Sequence, residues 1–198
     1  MPVIHVLGIS GSLRKDSYNT ALLNAASELL PEGMTLEKFD LSRIPLYSDD
    51  VRALGYPMSV QEFRERIAVA EALLVATPEY NYSISGVLKN AIDWASRPPD
   101  PPLDSKPVAI MSASTGNFGT VRAQMHLRQI CLFCNMFPLN KPEVLVMRAQ
   151  EKFDSSGRLV DETTRGFVRD LLMALADWTR RLRKESGIEL GASTRERS

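Results

Sequence analysis

Short apolar runs alternate with stretches of helical periodicity along most of this chain, and no other feature constrains its fold as tightly. The apolar runs occupy residues 3–9, 35–39, 72–77, 108–112 and 142–146. Between them, residues 19–30, 60–70, 87–96 and 119–133 repeat their apolar positions every three or four residues, and a last such stretch spans 163–184. Phe167, Leu171, Leu175, Trp178 and Leu182 mark the buried stripe expected on that last helix. Strands that alternate with helices predict an α/β domain with a doubly wound, five-stranded parallel sheet covered by helices on both faces. One domain is expected over residues 1–186, followed by a flexible tail over 187–198, where apolar content is low.

In such a sheet, ligands bind beyond the carboxyl ends of the strands, near the point where the strand order reverses. The segments after the first, third and fourth runs, residues 10–19, 78–85 and 112–119, should therefore converge on one site. All three are rich in Ser, Thr, Asn, Tyr and Gly. The first reads Ser10-Gly11-Ser12-Leu13-Arg14-Lys15-Asp16-Ser17-Tyr18-Asn19. Hydroxyls and an Arg at the start of a helix suit a phosphate, because free backbone N–H groups and the helix dipole favour an anion there. The same residues also fit an ordinary Ser-rich turn with Asp16 or Ser17 as N-cap. The loop has neither G-x-x-x-x-G-K-[ST] nor G-x-G-x-x-G, which argues against a nucleoside triphosphate or a dinucleotide pyrophosphate. A loop dense in hydroxyls suits a terminal monoester phosphate, such as that of flavin mononucleotide (FMN).

Residues 77–94 read Thr-Pro-Glu-Tyr-Asn-Tyr-Ser-Ile-Ser-Gly-Val-Leu-Lys-Asn-Ala-Ile-Asp-Trp. This string resembles the P-E-Y-N-x-S-x-P-G-x-L-K-N-A-I-D-W pattern of the NADPH-dependent FMN reductase family, which has a flavodoxin-like fold. It departs from that pattern at Ser85, where proline is usual. The first loop matches the family's G-S-x-R-x-x-S-x-N. The resemblance implies that Ser10, Ser12, Arg14, Ser17 and Asn19 hold the FMN phosphate. It implies that Pro78, Glu79, Tyr80 and Asn81 line one edge of the isoalloxazine ring, largely through backbone groups, with Ser83 close by. The third segment keeps Gly116, Gly119, Arg122 and Ala123 of the family's glycine-rich loop, but has Ser114-Thr115 and Asn117-Phe118 where smaller residues are common. Ser114, Thr115 and Gly116 carry over to the pyrimidine side of the flavin. Tyr80 is expected at the ring edge, and Tyr82 either there or partly buried. Lys89, Asn90, Asp93 and Trp94 lie on the following helix, where structural roles are expected, and the prolines after Arg97 read as a rigid surface turn.

The function this resemblance implies is a flavoenzyme. NADPH, with NADH as an alternative, donates electrons through FMN in a ping-pong cycle to a small-molecule acceptor: a quinone, a flavin, an azo compound or a metal oxyanion such as chromate. The flavin carries the chemistry, so no catalytic base or nucleophile from the protein, and no metal, is expected. The alternative is a flavodoxin-like electron carrier without enzymatic activity. Such carriers are typically strongly acidic, whereas this chain balances 24 Lys and Arg against 24 Asp and Glu. Zero net charge also gives no general attraction to nucleic acid or an anionic membrane. No apolar run approaches the ~20 residues of a membrane helix, and the first residues show no signal-peptide pattern, so a cytoplasmic protein is expected. Cys131 and Cys134 read as reduced core thiols, His5 as a core residue, and His126 as exposed or at a subunit contact. The resemblance further implies a homodimer or homotetramer joined through helices 87–96 and 119–133.

Overall fold

The computed structural model describes residues 3–185, and the tail expected over 187–198 lies outside them. Among the described residues, six strands form one parallel sheet: β1 (Ile4–Ser10), β2 (Met34–Phe39), β3 (Ala72–Ala76), β4 (Pro107–Ala113), β5 (Phe137–Pro138) and β6 (Val144–Val146). The order is β2-β1-β3-β4-β5, with β6 also paired to β4. This is the flavodoxin-like order, and its reversal falls between β1 and β3. β3 and β4 are buried along their whole length, as strands covered on both faces must be. β2 is the edge, and it carries Glu37 and Lys38 where an unpaired strand would otherwise invite association.

Side chains of each strand alternate between two cores. Ile4, Val6, Leu74, Ala76, Ala109 and Met111 pack beneath α1 (Tyr18–Glu28) and α6 (Glu162–Glu185). Leu7, Ile9, Leu73, Val75, Val108 and Ile110 pack beneath α3 (Met58–Val69), α4 (Gly86–Ala95) and α5 (Val121–Phe133). Each fully buried Leu or Ile in these layers contributes about 1.5–3 kcal/mol. A short α2 (Asp49–Ala53), capped by Ser48, precedes α3. Among the described residues, no helix is long and apolar enough to cross a membrane.

Three expectations change. The fifth strand, expected at 142–146, is two fragments on the free edge of β4: Phe137 pairs with Pro107, and Val144 with Met111. Pro138 and Pro142 have no N–H to donate, so a continuous ladder from 137 to 146 is broken between them. The buried stripe of α6 is Thr164, Val168, Leu171, Leu172, Leu175, Ala176 and Thr179, whereas Phe167 is exposed. His5 is exposed, not core, with Nδ1 2.8 Å from Thr35 Oγ1 on the neighbouring edge strand.

Candidate functional site

The loop after β1 crosses the switch point and enters α1. Ser17 is the N-cap of α1 and accepts from Thr20 N–H. The first turn of α1 contains no acidic side chain; Asp16 stands one residue before the cap. Ser10 Oγ lies 2.8 Å from Thr20 Oγ1 and also accepts from Ser12 N–H, which folds the loop onto the helix start. Ser12 Oγ accepts from Arg14 N–H at 3.4 Å. Among the described residues, Arg14 and Lys15 have no carboxylate within ion-pair distance, and Arg14 rests 5.7 Å over the Tyr18 ring. Lys38 Nζ donates to Asn24 Oδ1 at 2.7 Å and also has no acidic partner there. A groove of about 430 Å3 lies beside this loop, lined by Ser10, Ser12, Arg14, Thr20, Lys38 and Ser42 among others.

Asn19 does something different from its neighbours. It is buried, and its amide pairs with both backbone groups of Ala113 at the end of β4: Nδ2 donates to the carbonyl at 2.9 Å, and Oδ1 accepts from the N–H at 2.9 Å. The residue straps the first loop to the third. Gly11 makes a second junction. A Cβ there would sit 3.0 Å from Pro78 Cδ and 3.2 Å from Leu88 Cδ2, so a larger residue would push on the close contact of the first two loops. Ser85 makes a third. It caps α4 by accepting from Leu88 N–H and donates to Gly11 O at 2.5 Å, which a proline there could not do.

The loop after β3 begins at buried Pro78 and closes in a tight turn. Tyr80 and Ser83 exchange backbone hydrogen bonds of 2.9 and 3.0 Å. Asn81 (φ 51°) and Tyr82 (φ 66°) both take left-handed conformations, the pattern of a primed hairpin turn. The Glu79 carboxylate turns away along α5. It accepts from Arg122 N–H (3.0 Å) and Ala123 N–H (3.2 Å), capping a helix whose own N-cap residue, Thr120, makes no capping bond. The same carboxylate pairs with Arg122 Nη1 at 3.3 Å. The Arg122 guanidinium lies 4.2 Å over the Tyr82 ring and 4.7 Å over the Phe118 ring. Tyr80 and Tyr82 are both exposed, and Ser83 Oγ lies 3.1 Å from His126 Nδ1.

The loop after β4 is held by its carbonyls. Ser114 O accepts from Ala149 N–H (2.9 Å) and Gly116 O from Arg148 N–H (3.1 Å). Gly119 (φ 54°) lies so close to Leu145 that a Cβ would meet its backbone at 3.0 Å. Among the described residues, no hydrogen bond reaches the backbone N–H of Glu79, Asn81, Thr115 or Gly116. The two loops therefore present free donors at the carboxyl edge of β3 and β4, about one strand away from the cationic first loop. This donor set fits a flavin monophosphate. Hydroxyls, helix N–H groups and uncompensated cations suit the phosphate, while neutral backbone donors suit the ring's oxygen and nitrogen acceptors.

The remaining motif residues are structural. Lys89 pairs with Asp93 at 2.7 Å. Asn90 accepts from Tyr47 N–H and donates to Pro45 O, and Trp94 is fully buried with Nε1 on Pro45 O. The turn after Arg97 is gripped by buried Arg64, whose guanidinium reaches the carbonyls of Trp94, Ala95, Arg97, Pro99 and Asp100. Burial pushes the Cys131 thiol up to about 12 and raises Cys134 as well, so both remain protonated. Sequence reading missed Thr20, Lys38, the capping role of Glu79 and the Arg122 stack. Thr20 and Lys38 had a local signal, a hydroxyl on the first helical turn and a charge at a strand end. The Glu79–Arg122 contact spans 43 positions and had none.

Strand order and loop positions together define a flavodoxin-like α/β protein, and the donor chemistry of its loops fits a flavin. The chain belongs to the NADPH-dependent FMN reductase family, whose profile matches residues 4–151. It is 59% identical over 180 residues to an NAD(P)H-dependent FMN reductase of Pseudomonas aeruginosa, covering 91% of this chain and 97% of that one. An NAD(P)H:quinone oxidoreductase of Solanum tuberosum is 50% identical over 180 residues, covering 88% and 92%. Among solved structures, FerB, a flavoenzyme NAD(P)H:(acceptor) oxidoreductase from Paracoccus denitrificans, superposes with a TM-score of 0.83 at 34% identity, covering 90% of this chain and 98% of that one. The protein is an oxidoreductase, and its family implies FMN and NAD(P)H as cofactor and electron donor.

Proposed function

We propose that this protein uses NADPH, and also NADH, to reduce quinones, free flavins, azo compounds or metal oxyanions such as chromate through bound FMN, in a ping-pong cycle. The observation that carries this reading is the convergence of three loops at the β1/β3 switch point, with cations on the first loop and free backbone donors on the other two. When bound, FMN supplies the two-electron chemistry between donor and acceptor. The Ser12 and Ser17 hydroxyls and the Arg14 guanidinium hold the phosphate, with Ser10 and Asn19 bracing the loop that carries them. Pro78, Glu79, Tyr80 and Asn81 present backbone groups to the ring edge, with Ser83 beside them, and Ser114, Thr115 and Gly116 face its pyrimidine side. One nucleotide leaves before the acceptor enters the same face, so the protein needs no second catalytic site.

A single domain with a cytoplasmic location completes the proposal, as does a homodimer or homotetramer joined partly through α5. On that helix Met125, Leu132 and Phe133 are exposed along one face. The test is spectroscopic. The purified protein is expected to be yellow and to bleach anaerobically on addition of NADPH, with parallel lines when NADPH and quinone are varied together. Colourless protein that also fails to take up FMN would sink the proposal. Yellow protein that NADPH leaves oxidised would point to an electron carrier.

A further inference from the structure

We propose that Gln124 and Ser112 are positioning residues for the flavin: they fix the shape of the loop after β4, and through it the donors that set the reduction potential of bound FMN. The inference rests on the reading of residues 114–116 as the loop that faces the ring's pyrimidine side. Gln124 lies on the first turn of α5 and Ser112 near the end of β4, and both are buried. Gln124 Nε2 donates to Ser112 Oγ at 2.7 Å and to Val144 O on β6 at 2.9 Å. Val144 O can only accept, which fixes the end of the amide that faces it. Because the Ser112 oxygen accepts from Gln124, its own proton is directed to Gly119 O at 2.8 Å. That bond joins the two ends of the loop across seven positions. Asn19 holds Ala113 from α1, so the start of the loop is gripped from both faces of the sheet.

The arrangement is kept at a cost to stability. Among the described residues, Gln124 Oε1 and Thr120 Oγ1 are buried without a hydrogen-bond partner. Thr120 also has φ 67°, a left-handed conformation that β-branched residues rarely adopt. Such a residue persists where its surroundings over-determine it, as the Ser112–Gly119 bond just before it and the Glu79 cap just after it do here. An apolar side chain of the same length at position 124 would leave no orphaned acceptor, but it would release the loop. The clamp holds in place the free N–H groups of Thr115 and Gly116. Reduction puts negative charge on the pyrimidine side of a flavin, so donors fixed there favour the reduced form over the oxidised one and raise the potential. Donors on a loosened loop do this less well, because their orientation is no longer fixed in advance.

The test measures the midpoint potential of bound FMN in Gln124→Met and in Ser112→Ala by equilibration with a reference dye. Each variant should lose about tenfold more affinity for reduced than for oxidised FMN, which lowers the potential by about 30 mV. The double variant should shift it no further than the larger single change, because both act through one clamp. Amide hydrogen exchange of the FMN-free protein should quicken over residues 114–119 in both variants. Val168→Ala, in the core beneath α6, supplies the control: it should lower the melting point and leave the potential where it is. Gln124→Met should fold, because removal of the unsatisfied Oε1 offsets part of the loss of two hydrogen bonds. Were it not to fold, Ser112→Ala, which removes a single oxygen, decides the question. A wild-type potential in either folded, FMN-loaded variant would overturn the proposal, whatever the melting point does. Wild-type protein that takes up no FMN would overturn the flavoenzyme reading and this role with it, whereas FMN uptake with an unmoved potential overturns this role alone.

Discussion

Replacing Asn19 with Ala separates two roles that the loop motif alone merges. Resemblance places Asn19 on the FMN phosphate, whereas its amide is committed at both ends to Ala113, 94 positions away. Ala113 and Asn19 are both buried, so water does not replace the lost partner. The variant loses two hydrogen bonds and leaves a buried N–H and a buried C=O unpaired. Together these cost about 2–4 kcal/mol of folding free energy. For a chain of this size each kcal/mol moves the thermal midpoint by about 2–4 °C, so the FMN-free variant should melt roughly 5–15 °C below wild type. Differential scanning calorimetry of the FMN-free protein measures this directly. Asn19→Asp sharpens the test. Its carboxylate would face the Ala113 carbonyl, so the folded protein favours the protonated acid and the Asp pKa rises above its unfolded value. That variant should regain stability relative to wild type as the pH falls toward 4, because the acid form restores a donor. A midpoint that moves by less than about 2 °C in Asn19→Ala, together with a large loss of FMN affinity, would refute the strap and make Asn19 a phosphate ligand alone.

Three further outcomes are expected. Arg14→Ala should weaken FMN binding by about 1.5–3 kcal/mol with little change in the melting of FMN-free protein, as read by flavin titration and calorimetry. Arg64→Met should destabilise the fold by about 3 kcal/mol or more, since it strands several buried carbonyls at the end of α4, and Arg64→Lys should rescue little of this; urea unfolding is the measurement. The Asp161 carboxylate is held at about 2 by hydrogen bonds from Thr164 and Lys152, where it caps α6. A depressed acid pKa contributes stability that is fully present above its unfolded value near 3.8 and is lost as the pH falls from there toward 2. Asp161→Ala should therefore cost about 1 kcal/mol at neutral pH, and most of that difference should vanish at pH 2, as measured by denaturation at both values.

Much of the architecture was legible because it is local in its causes. The runs at 72–77 and 108–112 are continuous stretches of small and branched apolar residues, and both became strands buried on two faces. The run at 142–146 does hold a strand, β6, but its companion fragment at Phe137–Pro138 was not legible, because Pro138 and Pro142 act through missing donors in a ladder whose partner, β4, lies about 30 residues earlier. The stripe of α6 held at Leu171 and Leu175, which are fully buried, and failed at Phe167. Phe167 fits the helical period, but the sheet met a face that takes Val168 and Leu172 beside those two leucines and leaves Phe167 outside.

The sequence by itself determined the alternation of strands and helices, the parallel sheet, the three loops that meet at its carboxyl edge, and the cluster of hydroxyls and Arg14 on the first of them. These depend on periodicity, on composition and on neighbours a few positions apart. Only the tertiary structure decided what individual polar side chains do: Asn19 straps Ala113, Ser85 caps α4 and holds Gly11, and Glu79 caps α5 while Arg122 lies over the Tyr82 and Phe118 rings. The physical reason is that a side chain with several hydrogen-bonding atoms can satisfy them in many ways, and the choice falls to whichever partner the packed backbone brings within 3 Å.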